Sequence, residues 1–258
     1  LSVEPRDMQA SVVLFEHGLT REALRGVRFV PATRLSQPDR TVAAWLYGRC
    51  GDTYRAAVLS RRLAQAPRDE LEDPVIIELA YPRPYAADVL DAAARYAVPV
   101  ELVYAVMREE SNFNPLAVSP RYARGLMQMI SPTAVRLARE AAMPFRARNL
   151  FRPEVSIELG VRYLAQLMTL FHGRLEAVAA AYHAGERNVG QWLARYPELP
   201  PDELIEAIPF LSTRQYVQKV LSSYGVYRIL YGTAAEQAIG IAHAPRAEPV
   251  PTLVVDGR

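Results

Sequence analysis

Apolar residues recur at i, i+3 and i+4 through almost the whole chain, in segments of about 10–20 residues, with no convincing period-2 run of useful length. The pattern predicts an all-α protein. Over residues 1–73 it reads as paired helices, DMQASVVLFEHG with TREALRGVRFV and RTVAAWLYGRCG with TYRAAVLSRRLAQ. Gly18, Gly26 and Gly51 are expected as breaks between or within them. Short helix pairs in succession, each burying a face against the next, suggest an α-solenoid-like segment, although no repeat period names a class.

The proline-rich stretch EDPVIIELAYPRPYAADV is expected to be the crossing into a second domain, assigned to residues 74–235. There the helices follow closely. PVELVYAVMREE has Pro99 in its first turn, and SPTAVRLAREAAM offers Ser131 as N-cap with Pro132 just inside. RPEVSIELGVRYLAQLMTLF is long and amphipathic, LEAVAAAYHAG is almost wholly apolar and so central, and LSTRQYVQKVLSSYGVYRILYG closes the domain. Residues 236–258 lack periodicity and are expected to form a loose tail.

Composition removes several function classes. The chain has 258 residues, 22% of them charged, with a net charge of +2 and no basic run that would track a phosphate backbone, so nucleic acid is not an expected partner. Cys50 is the only cysteine, which leaves no intramolecular disulfide and no thiolate metal site; it reads as a small core residue. No apolar run approaches the ~20 residues of a membrane span. The start, LSVEPRDMQ, lacks the basic and apolar regions of a signal peptide and the initiator methionine, so a processed or trimmed chain is expected.

Candidate chemistry enters at the end of ELVYAVMREE. Leu102, Val103, Val106 and Met107 form one stripe, and at roughly 100° per residue Glu110 falls near its middle, seven residues after Val103 and four after Val106. Glu109 lies roughly 90° from the stripe centre and Arg108 on the far side. A glutamate on a buried face is costly unless hydrogen-bonded or neutral, and desolvation raises its pKa toward what a general acid needs. Taken alone, the same residues also fit a frayed helix end with two solvated glutamates.

The surrounding motifs decide between these. Glu110-Ser111-Asn112-Phe113-Asn114-Pro115, with Ala117 and Ser119, is followed by Gly125-Leu126-Met127-Gln128-Met129, then Ala181-Tyr182-His183-Ala184-Gly185, then Ile205-Glu206-Ala207-Ile208-Pro209-Phe210 with Thr213-Arg214 and Tyr216-Val217. This order resembles the soluble lytic transglycosylase family, relatives of goose-type lysozyme, and in particular its solenoid-bearing branch. The resemblance implies a lysozyme-like helical domain that cuts peptidoglycan glycan strands between N-acetylmuramic acid and N-acetylglucosamine, leaving a 1,6-anhydromuramyl end. It implies Glu110 as the single catalytic acid and Ser119 beside the scissile region. Gln128 would bind sugar, Met129 would shape the groove, and Tyr182 would turn its hydroxyl toward Glu110. Glu206 would face the groove as a subsite residue, with Tyr216 as a further lining candidate. No cofactor or metal is implied. The site of action would be the periplasm or cell envelope of a bacterium, with other cell-wall enzymes as a further partner class for the N-terminal helices.

Each assignment has a plainer counterpart. Ser119 also fits a loop serine bonding its own backbone, Tyr182 a core tyrosine with one satisfied hydroxyl, and Glu206 a surface helix-end glutamate. Two positions depart from the family pattern. Tyr122 stands where glycine is usual, which implies either a different loop path or an extra aromatic wall. His183 stands where asparagine is usual, and fits a structural residue that tunes the site rather than a catalyst. A hydrolytic muramidase on the same scaffold and a non-catalytic glycan-binding protein are the alternative readings.

Overall fold

The computed structural model describes residues 5–31, 33, 35–64, 74–196 and 199–232, so the expected tail over 236–258 lies outside the described residues. Thirteen α-helices and no strand are found among the described residues. Chain contacts divide them into two compact units, one within residues 1–84 and one beginning at Tyr85.

In the first unit, helices α1 (Pro5–Glu16) and α2 (Thr20–Phe29) pack as a pair, as do α3 (Gln37–Arg49) and α4 (Thr53–Leu63). Their core gathers Met8, Val12, Val27, Trp45, Leu46 and Leu59, with Phe15 edge-on to Trp45 at 5.3 Å. Gly18 and Gly51 do lie in turns, but Gly26 sits inside α2, where a Cβ would come within 2.4 Å of Ser11 Oγ. It permits a close helix approach and breaks nothing. Cys50 is half-buried at the C-cap of α3 rather than a core residue. Helix α5 (Pro74–Ala80), in the stretch expected as a crossing, packs on α3 and α4 instead: Val75 and Leu79 join their core.

The second unit holds α6 (Ala86–Tyr96), α7 (Val100–Ser111), α8 (Ser131–Glu140), a 3-10 turn (Ala147–Phe151), α9 (Pro153–Leu170), α10 (Leu175–Ala184), α11 (Glu186–Arg195), α12 (Pro201–Ala207) and α13 (Leu211–Tyr231). Helix α13 packs along both α7 and α10, and α6 packs on α9. Helix α10 is buried continuously from Glu176 to Ala181, as its apolar sequence requires. Helix α7 is buried from Leu102 to Arg108 without a break. Its enclosure by neighbours on all sides, rather than along one stripe, places Arg108 in the interior, 5% exposed. Ser131 is the first residue of α8 and not a side-chain cap: its hydroxyl accepts from Arg124 at 2.9 Å. No described helix is long and apolar enough to cross a membrane.

Candidate active site

Helix α7 ends abruptly just beyond Glu110. Asn112 and Phe113 both take left-handed backbone (φ 46° and 66°), which stops the helix and turns the chain. Ser111 ties this end to the next segment: its hydroxyl donates to the Leu126 carbonyl at 2.8 Å and accepts the Phe113 N–H at 3.1 Å. Asn114 Oδ1 then accepts the Leu116 N–H at 3.0 Å, forming the turn that Asn-Pro predicts.

The loop that follows is closed by two antiparallel bridges, Val118 with Arg124 and Arg124 with Met129. Gly125 (φ 78°) is required at its base, since a Cβ there would lie 1.9 Å from the Leu150 carbonyl oxygen. Met127 donates its N–H to Ser156 Oγ at 3.1 Å and rests its side chain on Gly160, which fixes the loop to α9. The carboxylate-bearing helix end and the Gly-Leu-Met-Gln segment are thus held in one geometry.

These elements border a cleft of about 640 Å³, lined among others by Glu110, Ser119, Gln128, Met129, Tyr182 and His183. Glu110 Oε1 accepts a hydrogen bond from the Tyr216 hydroxyl at 2.7 Å. Burial pushes the Glu110 carboxyl up to about 7; the Tyr216 bond works against the rise and the negative charge of Glu109 adds to it. A carboxyl near 7 in a cleft can hold a proton at neutral pH, give it up, and take one back.

The other expected site residues separate into those in the cleft and those outside it. Ser119 lines the cleft, but its Oγ accepts the N–H groups of Arg121 (3.3 Å) and Ala123 (3.1 Å) and so shapes the loop. Gln128 (φ 44°) spends its amide nitrogen on the carbonyls of Ala117 (3.1 Å) and Gly125 (2.9 Å), which leaves the amide oxygen as its remaining polar group. The Tyr182 hydroxyl does not donate to Glu110: it bonds the Met127 carbonyl at 2.8 Å and reaches Met129 Sδ at 3.4 Å. Tyr216 makes that bond instead, packed behind the acid at 8% exposure rather than lining the cleft. Glu206 does not line the cleft either. Its side chain is 65% exposed and bonds Arg214 (3.3 Å) and Gln218 (3.2 Å), an ordinary surface arrangement at a helix end.

The two departures are also resolved. Tyr122 takes φ 60°, the region that favours glycine, so the loop keeps a glycine-like path and the ring projects outward at 71% exposure. His183 Nδ1 lies 3.0 Å from Thr213 Oγ1, and its ring stacks on Tyr216 with centroids 4.6 Å apart. Burial, then the nearby charge of Arg121, holds His183 below the ordinary imidazole range, so it is neutral at pH 7.

Sequence reading missed four features of the site. Tyr163 and Glu186 both line the cleft, joined by a hydrogen bond of 2.8 Å from the phenol to the carboxylate. Glu186 is held below the usual carboxylate value, chiefly by its own backbone N–H. Arg121 lines the cleft from the loop. Glu109 is buried, its side chain 4% exposed, and accepts from Arg108 at 2.7 Å and Ser223 at 2.9 Å. Glu186, directly after the Ala-Gly of the third motif, and Arg121, between Ser119 and Gly125, had only their places beside motif residues to mark them.

The model of the transglycosylase SLT domain matches residues 89–205. A putative soluble lytic murein transglycosylase of Haemophilus influenzae is 36% identical over 156 residues, 60% of this chain and 26% of that protein. The soluble lytic murein transglycosylase of Escherichia coli K12 is 33% identical over 138 residues, 52% of this chain and 21% of that protein. The chain therefore spans about a quarter or less of the length of these relatives. Among solved structures, an inactive glutamate-to-glutamine mutant of lytic transglycosylase Slt from Pseudomonas aeruginosa superposes with a TM-score of 0.69 at 30% identity, covering 90% of this chain and 38% of that one.

Proposed function

We propose, from the match of residues 89–205 to the transglycosylase SLT domain, that this chain is a lytic murein transglycosylase with Glu110 as its one catalytic carboxyl. The observation that carries this reading is the Glu110 carboxyl itself: it lines the cleft, accepts from Tyr216, and is pushed up to about 7. Protonated Glu110 donates to the glycosidic oxygen as the bond after N-acetylmuramic acid breaks, and the sugar's own acetamido group stabilises the developing cation. The resulting carboxylate takes the proton of the 6-hydroxyl, whose oxygen closes on C1 to give the 1,6-anhydro end. The proton count balances and no water is consumed. A carboxyl poised near neutrality serves both halves of this sequence, as acid and then as base. The loss of activity in a glutamate-to-glutamine mutant of the Pseudomonas relative supports the same dependence here. A murein substrate places the enzyme in the bacterial cell envelope, on the periplasmic side, with the helices of the first unit as a surface for other cell-wall enzymes.

One observation favours a second reading. Glu186 brings an ionised carboxylate to the same cleft, and a hydrolytic muramidase that used a second carboxyl as base would deliver water in place of the 6-hydroxyl. Mass spectrometry of muropeptides released from purified sacculi separates the two. Products lighter by one water than the reducing-end forms are expected; release of reducing-end products alone overturns the transglycosylase reading.

A further inference from the structure

Both glutamates of the cleft are matched by a donor, Glu110 by Tyr216 and Glu186 by Tyr163. Arg121 is not matched. It is the only arginine or lysine among the described residues that line the cleft. Its backbone N–H bonds Ser119 Oγ at 3.3 Å, whereas among the described residues its guanidinium has no ion pair or hydrogen bond. Three residues on, Arg124 is by contrast committed to Ser131 at 2.9 Å. Arg121 is exposed at the rim of the cleft, and its charge is felt at His183 on the α10 side.

The loop carrying Arg121 is already ordered. Ser119 donates its N–H to the Ala123 carbonyl at 3.0 Å, and its own carbonyl accepts from Tyr122 at 2.9 Å. Little chain ordering would remain to be done when an anion arrived. A guanidinium offers a planar fork that fits a carboxylate with two parallel bonds, a geometry an ammonium cannot supply.

We propose that Arg121 is an anion-recognition residue that takes a carboxylate carried by the muramyl unit of the substrate, so that the cleft prefers acidic glycan over uncharged amino-sugar polymer. The proposal rests on the murein reading given above. Two groups carry the required chemistry: the carboxylates of a stem peptide, and the lactyl carboxylate that is free once the peptide has been removed.

The test is equilibrium binding by calorimetry in the Glu110→Gln background, where no ligand is consumed. Three ligands of equal sugar length are compared: murein strands with stem peptides, the same strands stripped by an amidase, and a chito-oligosaccharide without carboxylates. Adding Arg121→Gln is expected to weaken one or both acidic ligands by about threefold to tenfold, the range of a partly exposed charge-assisted bond. The chito-oligosaccharide should change by less than about twofold on the same grounds. The ligand that loses affinity identifies which carboxylate is read, and Arg121→Lys should recover part of the loss. Equal weakening of all three ligands, or none for either acidic strand, overturns the proposal while leaving the murein reading intact. Failure of the parent protein to bind any of the three overturns both.

Discussion

The hydroxyl of Tyr216 donates to Oε1 of Glu110 at 2.7 Å, across a sequence separation of 106 residues. Seven positions further along α13, Ser223 donates to Glu109 at 2.9 Å. Seven residues are about two helical turns, so one face of α13 meets two adjacent carboxylates of α7. The two are held differently: Glu109 is paired with Arg108 at 2.7 Å, and Glu110 has the phenol. That difference separates a structural carboxylate from one able to keep its proton.

Tyr216→Phe removes the donor that favours ionised Glu110. The carboxyl is therefore expected to rise further above about 7, moving the alkaline limb of the pH–rate profile upward, with a modest loss of rate from poorer positioning. A limb that stays in place or moves down would show that the bond does not govern the acid.

Glu110 also links stability to pH. Folding raises its carboxyl from 4.5 to about 7, so the folded state holds the proton more tightly than the unfolded chain. Its contribution is complete below the lower value and is lost as pH rises through the higher one. The shift corresponds to about 3 kcal/mol. Glu110→Gln, which carries no charge to bury, is expected to unfold at a higher temperature than wild type at pH 8, and the gap should close toward pH 4. Thermal scans at the two pH values check this; a variant less stable than wild type at pH 8 would contradict it.

Glu109→Gln should cost stability rather than chemistry. The substitution removes the carboxylate charge that faces Arg108, whose side chain is 6% exposed. Breaking a buried pair by removing one member costs about 3–5 kcal/mol. Chemical denaturation should report that loss, while turnover per folded molecule stays within several-fold of wild type. A fully stable but inactive variant would assign Glu109 to the chemistry.

These two glutamates also mark how far the sequence was legible. The helical period placed Glu110 on the inner face of α7 and gave the all-α class, because an amphipathic pattern records which face is buried. The period gave no sign that Arg108 and Glu109 are also enclosed, since a charge can be buried when its partner comes from another element, here Ser223 of α13. For the same reason the family resemblance, which implies a Tyr182 hydroxyl turned toward Glu110, does not disclose that this hydroxyl serves the Met127 carbonyl. Hydroxyl direction depends on the packing of distant segments, which local spacing does not encode. Gly26 and Ser131 have the same origin: their roles as a contact and an acceptor depend on Ser11 and Arg124.

His183→Asn should retain substantial activity and alter the acidic side of the pH profile. The imidazole faces Thr213, Tyr216 and the charge of Arg121, and it is neutral at pH 7. As pH falls through its lowered value it gains a positive charge beside the site, which opposes the cation developing on the sugar. Wild type should therefore show an acidic break below the usual imidazole range that the asparagine variant lacks. A loss of rate as large as that of Glu110→Gln would make His183 a proton-transfer partner.

The initial rate of sacculus cleavage by Glu110→Gln, beside wild type at pH 6, bears most directly on the central claim. The amide preserves the shape of the carboxyl and can still accept from Tyr216, but it delivers no proton. A fall of about 10²–10⁴-fold is expected, the usual cost of losing a general acid. A folded Glu110→Gln protein that cleaves at a rate close to wild type would contradict the assignment of Glu110 and the mechanism built on it.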